Sequence, residues 1–291
     1  MKKNEELKLK TQKYREDSFI NNSIMEVGAI KLIKFNILLE LEGLNHCFTT
    51  RSGGISIDCC DSLNLSFGRE VSAQNVQENY RRLMEAYGEN DKVVAFTNQT
   101  HTAKIRKVDC GDDIYYGPWV FQMEELDGII TNNRDVTLFT YYGDCVPIYL
   151  FDKRDMAIGL VHSGWRGTII NAGGAGVEKM VEEYGSKPED ITAVIGPSIG
   201  PECFQVDFKV AVEFLQQFGE QAEVVYMDIE KDKYLVDLWE ANRINLLKSG
   251  IKAENIVISG LCTCCNEKLF FSHRRDKGKT GSMAALMTLK K

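Results

Sequence analysis

Apolar positions recur along this chain in two rhythms, and their alternation predicts strands interleaved with helices. After Ser72, a plausible N-cap, the residues Val76, Tyr80, Leu83, Met84 and Tyr87 follow the helical period, and Gly88 is placed to end the helix. Short apolar runs over 93–96, 136–142, 146–151 and 156–161 read as buried strands. A glycine-rich stretch (Gly164, Gly167, Gly173, Gly174, Gly176) leads into a helix carrying Val177, Met180, Val181 and Tyr184. A strand over 191–195, a helix from an Asp207 cap, a helix from an Asp237 cap to Gly250 and a strand over 255–259 complete the series.

Strands alternating with helices imply an α/β fold in a single domain. Only Gly143, Asp144 and Cys145 separate the runs 136–142 and 146–151. A link that short favours an antiparallel or bent arrangement over a βαβ unit, so a mixed sheet is expected. The first seventeen residues are charged and poor in apolar side chains. A mobile N-terminal segment over 1–20 and a single catalytic domain over 21–291 are therefore expected.

Composition narrows the function. With 44% hydrophobic and 26% charged residues the chain is an ordinary globular one, large enough to need no disulfide staples. A net charge of −7 argues against nucleic acid or an anionic membrane as partner, since both call for a basic surface. A small-molecule substrate and a monomer are expected. The N-terminus has no signal-peptide core, and no apolar run is long enough for a spanning helix. Nine cysteines then read as reduced thiols of a cytoplasmic protein.

Two of the four histidines, His101 and His162, follow predicted strands, as does Cys145. Two imidazoles and a thiolate suit a catalytic zinc, which keeps a fourth position open. Their spacing alone is no metal signature. His101 could be a loop histidine, Cys145 a small buried hydrophobe and His162 a satisfied core group. Their neighbourhood favours chemistry: Asp144 could orient an imidazole or move a proton, and the glycines around Trp165 and Arg166 suit a turn where backbone meets ligand.

The motifs NQTH (98–101), DG (127–128), GDCVP (143–147), HSGWRG (162–167), GPSIGPECF (196–204) and CTCCNEKLFFSHRRDKGKTG (262–281) resemble the YfiH/YlmD-like family. TRSGG (50–54) and SLNLSFG (62–68) match its N-terminal motifs, so the resemblance spans roughly residues 40 to 289. That family is also known as the laccase-domain or "multicopper polyphenol oxidoreductase" family. The resemblance implies a layered α/β sandwich and metal ligands at His101, Cys145 and His162. It also implies phosphorolysis of adenosine, inosine and methylthioadenosine; adenosine deamination and phenol oxidation have been ascribed to the family as well. Two positions depart from its pattern: His273 stands where tyrosine is usual, and Ser282 where an arginine commonly follows TG.

Arg51, in a glycine-flanked loop, is read as a phosphate anchor rather than a surface ion-pair partner, because a guanidinium grips phosphate bidentately. Asn64 and Gln99 could bind a ribose or base edge, or equally brace turns. Arg166 is expected to fix its own loop. Cys262 and Cys265 have C-x-x-C spacing, but a zinc ribbon needs a second such pair, so buried thiols are expected there. The favoured reading is thus a metal-dependent purine nucleoside phosphorylase using phosphate, with Zn2+ (or copper) as cofactor and Asp144 handling protons. Its rivals are a copper-dependent polyphenol oxidase and a non-catalytic, metal-stabilised binding module. A multicopper cluster needs more imidazoles than the motifs contain.

Overall fold

The computed structural model describes residues 2–70, 72–111, 124–219, 223–228 and 233–291. Helix α1 (Lys2–Asn21) leads into β1 (Asn22–Val27), β2 (Ile30–Phe35), the short α2 (Asn36–Leu39), β3 (Leu44–Thr49) and α3 (Ala73–Tyr87). Then come β4 (Val93–Phe96), β5 (Ile105–Lys107), β6 (Gly128–Thr131), β7 (Val136–Tyr142), β8 (Val146–Asp152) and β9 (Ala157–Ser163). The C-terminal part contains α4 (Trp165–Ile169), α5 (Ala172–Tyr184), β10 (Ile191–Ile195), β11 (Gln205–Val206) and α6 (Phe208–Phe218). It ends with β12 (Val225–Asp228), β13 (Lys233–Val236), α7 (Leu238–Lys248), β14 (Ile256–Ile258) and β15 (Met283–Leu289).

Two six-stranded sheets form the centre, ordered β1-β2-β3-β15-β7-β4 and β14-β10-β8-β9-β6-β5. Both are mixed. β7 lies parallel to β4 but antiparallel to β15, and β10 lies parallel to β14 but antiparallel to β8. Period-two alternation on fully buried strands builds the layers. Along β8, Tyr149 and Phe151 face the first sheet, while Ile148 and Leu150 join the core beneath α5 and α7. On β15, Met283, Ala285 and Met287 point between the sheets, and Ala284 and Leu286 pack with Val76 and Leu83 of α3. The result is a mixed α/β sandwich of helix, sheet, sheet and helices.

Most predicted elements form where the pattern places them. Ser72 accepts the Asn75 N–H at 3.3 Å, and Gly88 ends α3 with φ 83°. Asp237 caps α7 through the Glu240 N–H at 3.0 Å. Asp207 differs: its carboxylate does not cap α6 and instead pairs with Lys233. Strands β7 and β8 do not pair with each other. The corner at Gly143, Asp144 and Cys145 carries the chain from one sheet into the other, so the bent alternative holds.

The N-terminal segment, expected to be mobile, forms helix α1, one side of which is buried against the domain. Helix α1 presents Leu7, Thr11, Tyr14 and Ser18, all buried, along one side. The Tyr14 ring meets Trp239 edge-on at 5.1 Å. Its hydroxyl and Lys10 Nζ both reach Asp237 Oδ2, each at 3.1 Å. The stripe has helical spacing, but half of it is hydroxyl side chains, so a hydrophobicity criterion passes over it.

Candidate metal centre

Three chain segments converge where the two sheets meet. His162 sits near the end of β9, Cys145 at the intersheet corner, and His101 in the loop after β4. The imidazole nitrogens and the thiol sulfur all lie within 4.8 Å of one another. His101 Nε2 is 3.9 Å from Cys145 Sγ, and the two imidazole rings meet nearly at right angles, 5.1 Å between centroids. Gly164 makes this approach feasible. A Cβ there would stand 2.7 Å from His101 Cδ2 and 3.2 Å from Cys145 Sγ.

Asp127, immediately before β6 and fully buried, organises the ligands. Its carboxylate accepts the N–H groups of Thr100 (3.2 Å), His101 (3.0 Å) and Thr102 (2.6 Å), and the Thr102 hydroxyl at 2.8 Å. This clamp holds His101 at φ 65°, a left-handed conformation that a histidine seldom adopts unsupported. The same carboxylate lies 2.7 Å from His162 Nδ1. That fixes Nδ1 as the protonated nitrogen and leaves Nε2 as the electron-pair donor. Burial opposes ionisation of Asp127, but the hydrogen bonds from His162 and Thr102 together hold its carboxyl down at about 2.

Burial would also push the Cys145 thiol up. His162 and His101 more than offset this and draw it down to about 6, so a thiolate is available at neutral pH. Burial works the other way on His162, yet Cys145 and Asp127 raise it. Two imidazoles and a thiolate, oriented by a buried carboxylate, are compatible with a metal site. Nitrogen at about 2.0 Å and sulfur at about 2.3 Å from zinc can be reached by donors this close together.

The triad opens into a cavity of about 1000 Å³. Aromatic side chains (Phe67, Tyr141, Trp165, Phe204) and cations (Arg69, Lys233, Arg274) line it, with His273 and Ser282 on its wall. Both departures from the family pattern therefore face the cavity. Arg69 donates from Nη1 to Thr280 O at 3.3 Å. Arg274 Nη1 bonds to Cys203 O and Gln205 O, at 3.1 and 2.8 Å.

The other sequence candidates fall differently. Arg51 is not among the lining residues: its Nε donates to Asp61 O at 2.8 Å, and its guanidinium stacks over Phe271 at 4.6 Å. Asn64 is buried and braces a turn, taking the Ser66 and Ser282 N–H groups on its oxygen, each at 3.0 Å. Gln99 borders the cavity, but its amide is spent on both backbone groups of Tyr141. Asp144 is also on the wall, with both oxygens occupied: Thr263 Oγ1 at 2.6 Å on one, Ser272 Oγ at 3.0 Å and the Arg274 N–H at 2.7 Å on the other. Arg166 stacks on Trp165 at 4.2 Å, within its own turn.

From the sequence Arg69 and Lys233 do not stand out, Asp127 figures only in the DG motif, and the run His273-Arg274-Arg275 reads equally as an anion patch or a solvated basic loop. The DG motif and a carboxylate just before the fully buried β6 were the local signals for Asp127. The three cations come from separate segments, Arg69 from a short helical turn over 67–69, Lys233 from the start of β13 and Arg274 from the loop before β15, and share no spacing.

Residues 45–290 match the family described as multi-copper polyphenol oxidoreductase laccase. The chain is 35% identical over 246 residues to purine nucleoside phosphorylase YlmD of Bacillus subtilis (strain 168), covering 84% of this chain and 87% of that one. It is 31% identical over 248 residues to purine nucleoside phosphorylase YfiH of Escherichia coli (strain K12), covering 85% and 95%. The crystal structure of YlmD from Geobacillus stearothermophilus superposes with a TM-score of 0.85 at 32% identity, covering 93% of this chain and all of that one. The chain belongs to the multi-copper polyphenol oxidoreductase laccase family, among the YfiH/YlmD-like proteins.

Proposed function

We propose that this protein is a metal-dependent purine nucleoside phosphorylase that cleaves adenosine, inosine and methylthioadenosine with phosphate, giving the free base and ribose 1-phosphate (5-methylthioribose 1-phosphate from methylthioadenosine). The observation that carries this reading is the meeting of the His101–Cys145–His162 donors with an aromatic, cation-bearing cavity. A flat purine finds stacking partners in Tyr141, Trp165 and Phe204. Phosphate, the second reactant, requires cations. Arg69 takes the role that sequence assigned to Arg51, because Arg69 lines the cavity and Arg51 does not. Arg274 and Lys233 add positive charge along the same wall.

Glycosidic cleavage passes through a cationic, oxocarbenium-like sugar, so the chain must hold phosphate on one side and assist the base on the other. His101, Cys145 and His162 would hold Zn2+. Bound there, the ion supplies Lewis acidity toward the purine, which serves departure of the base and, for adenosine, hydrolytic loss of the amino group. His273, on the wall, would give a proton to the leaving base. Asp144 is better read as a positioning residue: its three hydrogen bonds tie the segment carrying Arg274 to the corner carrying Cys145.

A copper-cluster oxidase fits the donor set less well. His46 is buried and spends Nε2 on the Phe35 N–H at 2.9 Å, so it cannot join the triad. A single copper at the same three ligands fits the donors equally, and metal analysis separates the two ions. Phosphate kinetics test the assignment. Arg69→Ala should raise the KM for phosphate about tenfold to a hundredfold, the effect of a lost charge-assisted contact, with zinc content unchanged. An unchanged KM would remove Arg69 from the phosphate site.

A further inference from the structure

Away from the His101–Cys145–His162 triad, the fold gathers a second group of donors. Cys203, Cys262 and Cys265 have Sγ atoms all within 4.8 Å of one another. Cys203 Sγ and Cys265 Sγ are 3.3 Å apart. Sequence showed only the C-x-x-C pair at 262 and 265; Cys203 arrives from the loop before β11 and supplies the third sulfur. The Gly200 N–H points at Cys262 Sγ from 3.2 Å, a contact that favours the thiolate. Gly200 is also needed for the approach, because a Cβ there would stand 3.1 Å from Trp239 and 3.2 Å from Cys262 Cβ. Beside the sulfurs lies a small cavity of about 40 Å³, bordered by Arg15 of α1.

We propose that Cys203, Cys262 and Cys265 form a second, all-thiolate site for a soft d10 cation, Zn2+ or Cu+, distinct from the His101–Cys145–His162 centre. Sulfurs bound at about 2.3 Å to one tetrahedral zinc stand about 3.8 Å apart, which suits this spacing after small side-chain rotations. A donor set of thiolates alone selects soft ions and rejects magnesium or calcium. Three thiolates leave excess negative charge on either ion; the Arg15 guanidinium borders the site, where it already pairs with Glu202 and so offsets that charge only in part. The adjoining cavity has room for a solvent molecule in the fourth position around zinc, while Cu+ is satisfied by three sulfurs.

The ion clips two loops together. One carries Phe204 of the substrate cavity, next in sequence to Cys203. The other carries Cys262 and Cys265, and Cys262 is followed by Thr263, which donates to Asp144. Its effect on turnover is indirect, through the cavity wall.

Metal counting on the full-length protein, purified under reductant and reloaded with Zn2+ alone, tests the proposal. Wild type should hold two zinc ions per chain, and Cys145→Ala and Cys265→Ala one each. Cobalt substitution gives an independent signature. The intense thiolate-to-cobalt absorption should be largely retained in Cys145→Ala and fall to the weaker single-thiolate band of the Cys145 centre in Cys265→Ala, whose side chain is exposed and whose removal should spare the fold. Competition against a cuprous chelator decides between the ions: if Cu+ displaces zinc only at the thiolate site, the site is cuprous. A single zinc in wild type, abolished by Cys145→Ala, would overturn the proposal. So would a Cys203–Cys265 disulfide persisting under reductant, because it would consume two of the three ligands.

Discussion

Asp127 and His162 meet at 2.7 Å between carboxylate Oδ1 and imidazole Nδ1, both side chains shut away from solvent. The contact sets which imidazole nitrogen can donate to a metal, and the same carboxylate fixes the backbone of His101. Asp127 therefore positions two of the three candidate metal donors at once without being one. Asp127→Asn should weaken zinc binding about tenfold to a hundredfold, the usual effect of losing a partner behind a metal-bound histidine. Competition with a chromophoric chelator measures this, and unchanged affinity would mean that the ligands hold their orientation unaided.

Gly164 offers a steric test of the same centre. Its φ of −64° suits any residue, so alanine there introduces no backbone strain. The new methyl would press on His101 and Cys145. Gly164→Ala should lose metal while keeping a melting temperature close to that of the metal-free wild type. Gly88→Ala provides the contrast: φ is 83° and the space around it is open, so it should lower stability by about 1 kcal/mol and leave zinc content alone.

Removing residues 1–21 should be costly. The deletion uncovers Trp239, strips Tyr14 and Lys10 from the buried Asp237, and loses burial of Leu7. Burial of two large side chains alone corresponds to roughly 3–6 kcal/mol. Thermal melts of the truncated chain should show a clear drop. An unchanged melting temperature would return the segment to the mobile status that its composition suggests.

His46 should govern part of the acid limb of stability. Burial, reinforced by Lys34 and Lys290, holds its imidazole down at about 3, against 6.5 for an ordinary histidine. The unfolded chain therefore takes up a proton that the folded one refuses. The contribution is complete above pH 6.5, declines as pH falls below that value, and is gone below about 3, amounting to about 5 kcal/mol at most. His46→Gln keeps an acceptor for the Phe35 N–H and removes the titration. Its stability should fall less steeply between pH 6.5 and 4 than that of wild type, and identical slopes would exclude His46 as the source.

Where a side chain reports its own environment, the sequence was readable. The apolar runs of β7, β8 and β9 mark strands buried on both faces, and Ser72 and Asp237 mark helix starts that form as caps. The triad was legible because His101, Cys145 and His162 each end or follow such a run. Less legible was anything decided by partners distant in sequence. Arg51 and Arg69 look alike as arginines in glycine-containing loops, yet one stacks on Phe271 and the other borders the cavity. Asn64 and Gln99 were left between ligand and brace, and their hydrogen bonds resolve to turns and strand edges. Helix α1 was missed because Thr11 and Ser18 complete its buried stripe with hydroxyls. Cys203 gave no sign that it would face Cys262 and Cys265 across a loop.

The most direct test follows the phosphate. Zinc-loaded wild type is incubated with inosine or adenosine and isotopically labelled phosphate, and the label is traced. Label should appear in ribose 1-phosphate, with free base released in equal amount, only when phosphate is present. Both products should vanish together in His162→Ala. Base release that proceeds equally without phosphate, or full turnover by metal-free His162→Ala, would contradict the phosphorylase reading.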